Sequence, residues 1–241
     1  MGKVLRTAGA VIAAIAALLL GTLTASAEEI VLYDANLKFT PPEGWSIVYE
    51  GNMSDSDLNA VGKAASTVRT EFAEYGGYLY GTNSNRTLEV FISRTNDSVS
   101  EKIFNSQTGN YQYISDYLKA PDVHKYMRTE EQLSIVRTSD RILLDSCTFN
   151  AVEYTLAKGC GICYSTVVNG DYISVDFRRR NGDSFTDSEK IVILNSIKSA
   201  EILTIEEKET LEKSQIIILG GLCLLILLLI AAIIIKIKRN R

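Results

Sequence analysis

The chain has 241 residues, 46 % hydrophobic and 22 % charged, which fits a folded protein and excludes a disordered one. All 29 acidic residues fall between positions 28 and 215, whereas six of the 25 basic ones lie outside that span, so the middle keeps 19 basic residues and a net charge of −10. A middle that acidic argues against nucleic acid as a partner, because phosphate binding needs clustered Lys and Arg.

Residues 1–27 read as a secretory signal: Lys3 and Arg6 in front, an apolar run of 13 residues from Ala8 to Leu20, a break at Gly21, and Ala25-Ser26-Ala27 as the cleavage site. Cleavage after Ala27 makes Glu28 the mature N-terminus. An uncleaved anchor is the alternative, but the run falls short of the roughly 20 residues needed to span a bilayer.

Residues 28–200 are expected to form one extracytoplasmic α+β domain, without internal repeats or a Pro-rich linker. Val31 to Thr40 reads as a strand closed by Pro41-Pro42-Glu43-Gly44, and Trp45, the only tryptophan, opens a second strand through Tyr49. Ser54 to Tyr75 has Leu58, Val61, Ala65, Val68 and Phe72 at helical steps, and Gly76-Gly77 stops it. Strands follow at Tyr78–Gly81 and Thr87–Arg94. Residues 99–133 are polar, with helical fragments around Ile103–Phe104, Tyr111–Leu118 and Val123–Met127. A run of strands comes next, at Leu133–Arg137, Cys147–Ala157, Gly161–Val168 and Tyr172–Arg178, with Asn169-Gly170 as a hairpin signal. Thr186 to Ser199 is the closing helix, and Thr186 with Glu189 fits a capping box.

Residues 201–215 hold seven charges and read as a stalk. Ile216 to Ile235 is an uncharged block of 20 residues. As a helix it is about 30 Å long, the thickness of the hydrocarbon core. The basic tail 236–241 belongs in the cytoplasm by the positive-inside rule. The expected localisation is a cell membrane crossed once, with the N-terminal domain outside and the bilayer engaged through residues 216–235.

The order of elements carries a family resemblance. An early strand ends Phe39-Thr40-Pro41-Pro42-Glu43-Gly44-Trp45, a helix follows, a meander contains Asp171-Tyr172-Ile173-Ser174, and the last helix reads Ile193-Leu194-Asn195-Ser196-Ile197-Lys198. Over residues 31–200 this resembles the Mog1/PsbP/DcrB-like superfamily. The resemblance implies an antiparallel sheet with packing helices in a sandwich, and a binding or assembly module rather than an enzyme. A C-terminal membrane helix and a Cys-x-x-Cys are departures from the usual members.

Cys160-Gly161-Ile162-Cys163 is the sharpest chemical feature, placed by the pattern at a hairpin tip. It is a candidate disulfide or redox pair, although no helix follows to lower a thiol pKa. Reduced packing thiols are the other reading. Cys147 is the third cysteine of the domain, and with His124, the only histidine, it completes a set of zinc-ligand types without a second close pair. No Gly-x-Ser-x-Gly elbow, phosphate loop or calcium-loop spacing occurs. Arg178-Arg179-Arg180 could pair with an anionic ligand but reads first as a solvated strand end, and the twelve tyrosines read first as half-buried strand residues, with a binding surface as the alternative. The sequence therefore points to a non-enzymatic binding or assembly module for a protein or envelope partner, with no catalytic residue, cofactor or metal. A thiol-based redox or metal-binding role at Cys160 and Cys163 is the alternative.

Overall fold

The computed structural model describes residues 28–106, 111–119, 134–143, 148–207 and 226; for 111–113, 119 and 134–143 the backbone alone is described. The chain divides after Glu206 into two units, and the first holds both sheets.

Ten strands form them. β1 (Ile30–Leu32), β2 (Leu37–Phe39) and β10 (Glu201–Ile202) make a small sheet in the order β1-β2-β10. The large sheet runs β3 (Ser46–Tyr49), β4 (Gly77–Thr82), β5 (Leu88–Asn96), β9 (Asp171–Arg179), β8 (Gly159–Val168), β7 (Thr148–Leu156), β6 (Ser134–Leu143). Every neighbouring pair is antiparallel. The helices are α1 (Asp55–Val61), α2 (Ala65–Tyr75), α3 (Ser98–Ile103), α4 (Tyr111–Lys119) and α5 (Asp187–Lys198). This is the α+β architecture expected, an antiparallel sheet with packing helices.

Strand periodicity sorts the large sheet into two faces. On one, Val90, Ile92, Ile162, Val175 and Phe177 join Leu37 and Phe39 of the small sheet and Ile193 and Ile197 of α5 in the main core. Trp45 packs edge-on against Phe177 there, with ring centroids 6.3 Å apart. On the other face two smaller clusters sit at separate places. Val48, Tyr80 and Phe91 pack with Leu58, Val61 and Val68 of α1 and α2, and Val167 and Tyr172 pack with Ile103, Ile114 and Leu118 of α3 and α4.

The structure departs from the sequence reading in four places. The expected strand over 31–40 is a hairpin, because Tyr33–Ala35 form a 3-10 turn ending at Asn36 in the left-handed conformation, φ 54°. The expected single helix over 54–75 is two helices. Gly62, at φ +71°, ends α1, and the Arg86 guanidinium occupies the space a side chain there would need while donating to the Asn59 carbonyl at 2.9 Å.

The segment from residue 201, expected as a stalk, starts as part of the small sheet. Glu201 and Ile202 pair with Lys38 and Leu37 of β2. Three asparagines then grip the chain. Asn36 accepts from the Thr204 amide, Asn169 accepts from the Glu206 amide, and Asn105 donates to the Glu206 carbonyl. Finally, Cys160 and Cys163 lie inside β8 instead of at a tip, because Leu156 pairs with Gly159 and leaves Ala157 and Lys158 as the turn.

The Asn169-Gly170 hairpin and the Thr186–Glu189 capping box form as expected. The fragments at 103–104 and 111–118 fall at α3 and α4. The fragment at 123–127 lies outside the described residues, as do 1–27 and, apart from Ile226, the 216–235 block. Among the described residues no helix is long and apolar enough to cross a membrane.

Candidate functional site

Between the two helix-covered clusters, the second face of the large sheet is polar. Strand alternation places Glu89 of β5, Asp176 and Arg178 of β9 and Tyr154 of β7 on this face, all buried. The Tyr154 hydroxyl donates to Asp176 Oδ1 at 2.7 Å, and Arg178 Nε donates to both the Tyr154 oxygen and Asp176 Oδ2 at 3.0 Å. Ionic groups this deep persist only when their partners satisfy them. Burial pushes the Asp176 carboxyl up despite the Arg178 charge beside it, and pushes the Tyr154 phenol well up.

Gly161 makes this arrangement possible. It is the register partner of Tyr154, and a Cβ added there would overlap the phenol ring. The glycine of the Cys-Gly-Ile-Cys segment therefore lets Tyr154 lie across β8 and reach β9.

A second cluster adjoins the first. Arg180, just beyond β9, donates through Nη2 to Tyr80 Oη and Glu89 Oε2, both at 3.0 Å, and through Nε to Glu89 at 3.2 Å. Its side chain is 43 % exposed, against 9 % for Glu89. Lys63, in the break between α1 and α2, donates to Glu71 at 2.6 Å and sits 3.9 Å above the Tyr80 ring centroid. The break at Gly62 thus delivers a cation to the site. Arg178, Arg180, Lys63 and Lys158 line an open cleft of about 470 Å³ together with Glu71 and Glu89. Arg179 also borders the cleft, but strand alternation turns its side chain to the opposite face, where it pairs with Glu189 of α5.

The arginine run is therefore no solvated strand end: its three side chains are held by Asp176, Glu189 and Glu89. Alternation in Asp176-x-Arg178-x-Arg180 signals a charged face, but which strands flank it depends on pairing across the whole domain. Glu89 and Lys63 carry no sequence signal of their own. Burial of Tyr80, Tyr154 and Tyr172 agrees with tyrosine as a strand residue.

Cys160 and Cys163 are both buried, and neither is in a disulfide. Three residues apart on one strand, they occupy opposite faces, Cys160 in the main core and Cys163 beside Tyr154. The sheet separates them, so the candidate disulfide is not formed. Burial raises the Cys160 thiol to about 11 and drives the Cys163 thiol up as well, the reverse of an activated thiol. Among the described residues no group of His, Cys, Asp and Glu side chains could hold a metal ion; Cys147, His124 and Cys223 lie outside them.

No protein-family model matches the chain, and no curated protein matches it. Among solved structures it is similar to the solution structure of cyanobacterial PsbP (CyanoP) from Synechocystis sp. PCC 6803, with 12 % identity and a TM-score of 0.46 over 73 % of this chain and 91 % of that one. It is also similar to a crystal structure from Bacteroides thetaiotaomicron VPI-5482, with 10 % identity and a TM-score of 0.36 over 76 % of this chain and 51 % of that longer one.

Proposed function

We propose that the protein is a membrane-anchored extracytoplasmic binding module, non-enzymatic, exported by residues 1–27 and held in the bilayer by 216–235, whose partner docks at the Arg178–Arg180 cleft. The observation that carries the reading is the Arg180 guanidinium. Buried Glu89 and Tyr80 fix it from behind, and it still opens to solvent. A side chain held in place before a partner arrives costs little entropy to engage, which is how a rigid recognition surface gains affinity. The cleft lies within the size range of ligand sites. The buried, separated cysteines give the thiol alternative no support.

The test is native electrophoresis of the full chain extracted from its own membranes in mild detergent. The wild type is expected to migrate in a complex that Lys158→Glu dissolves while the chain keeps its level and its melting temperature. An identical complex in the variant would place the partner elsewhere.

A further inference from the structure

The reading above leaves open what kind of group enters the cleft; resting on it, we infer that the ligand presents a carboxylate carried by a protein partner. Glu89 accepts from Arg180 and Tyr80, Glu71 accepts from Lys63, and Asp176 accepts from Tyr154 and Arg178. These carboxylates are taken up within the domain.

Two of the cations, Arg180 and Lys158, keep donors to spare. A guanidinium has five N–H donors and an ammonium three. Arg180 uses Nε and Nη2, and among the described residues its Nη1 has no hydrogen-bond partner. Lys158, exposed in the β7–β8 turn, has none among them either. Glu74 completes the carboxylates of the lining, three against five basic side chains, so the surplus on the cleft is in positive charge and donors, and the complementary ligand is an acceptor with negative charge.

The remaining walls narrow the class. Glu71 and Glu74 share the lining with Leu156 and Tyr75. A densely charged phosphate polymer meets repulsion from those carboxylates and gains nothing from the apolar wall. An acidic side chain or terminal carboxylate flanked by apolar residues fits both, with the planar carboxylate matched to the open edge of Arg180.

The experiment uses the full chain in nanodiscs and measures binding of acetyl-Ala-Leu-Glu-Leu-Ala-amide, its Gln counterpart and inorganic phosphate by surface plasmon resonance. The Glu peptide is expected to bind at least about tenfold tighter than the Gln peptide, a difference of about 1.4 kcal/mol. Lys158→Gln is expected to remove most of that preference. Arg180→Gln should remove it too, but it also strips the counter-charge from buried Glu89, so the surface substitution at Lys158 decides. Equal binding of the Glu and Gln peptides, or a preference untouched by Lys158→Gln, overturns the inference. Phosphate bound as tightly as the Glu peptide overturns the assignment to a protein carboxylate. A complex lost in Lys158→Glu together with indifferent peptides would leave the binding-module reading standing and sink the carboxylate alone.

Discussion

The most informative single substitution is Gly161→Ala, because the structure gives the glycine a purpose that Cys-x-x-Cys chemistry does not. The added methyl overlaps the Tyr154 ring, which bridges β8 to bond Asp176 and Arg178. Forcing an extra methyl into a packed site costs about 1–3 kcal/mol. Displacing Tyr154 from two charged partners costs about 1.5–3 kcal/mol more. Alanine recovers about 0.5–1 kcal/mol of backbone entropy relative to glycine, so the net loss is about 2–5 kcal/mol. For a domain of this size that lowers the melting temperature by about 5–15 °C. The assay is near-ultraviolet circular dichroism on heating the full chain in detergent, run as a cycle with Tyr154→Leu, whose side chain lacks the overlapping ring atoms. In the Tyr154→Leu background Gly161→Ala should become neutral or slightly stabilising. A wild-type-like melting temperature for Gly161→Ala alone, or an equal loss in both backgrounds, would refute the packing argument.

Two further outcomes follow from the structure and a third from the sequence. Burial pushes the Glu189 carboxyl up, but donors from Thr186 and the Arg179 charge outweigh it and hold the carboxyl below its ordinary 4.5. A depressed carboxylate stabilises fully above its unfolded value and loses that contribution as pH falls through the folded one. The melting-temperature gap between wild type and Glu189→Gln should therefore be widest near neutrality and close as pH falls below the ordinary 4.5 and through the folded value; a constant gap contradicts it. Alkylation with intact-mass readout should modify Cys160 and Cys163 only after denaturation, with or without reductant, whereas a peptide carrying a Cys160–Cys163 bond would contradict the strand parity. Carbonate washing should leave the chain in the membrane, and external protease should reach the domain in intact cells; release by carbonate would contradict the anchor.

Much of the fold was legible because local chemistry fixes it. Asn169-Gly170 closes a two-residue hairpin, Thr186 and Glu189 cap α5, and alternation in Leu88, Val90 and Ile92 marks a core face. What the pattern hid depended on distant partners. The apolar spacing from Leu58 to Phe72 is continuous across Gly62, and the break shows only where Arg86 arrives to cap α1. The charged segment after residue 201 looks like a stalk until Asn36, Asn105 and Asn169 are seen to bind it. The site was the least legible part. Asp176, Arg178 and Glu89 have the alternation of a solvated strand face, yet they are buried because β9 and β5 lie inside a seven-stranded sheet. Cys160 and Cys163 form the recognisable motif, but it is Gly161, one of the two residues between them, that matters to the site.

The most direct test of the binding-module account is photo-crosslinking in intact cells from two exposed positions of the full chain. A photoreactive residue is placed at Ala157, in the turn beside Lys158, and separately at Asn195 on α5, which packs on the opposite face of the sheet. The account predicts a discrete crosslinked protein from position 157 that Lys158→Glu abolishes, and no such product from position 195. Crosslinking from 195 alone, or a product at 157 indifferent to Lys158→Glu, would contradict it.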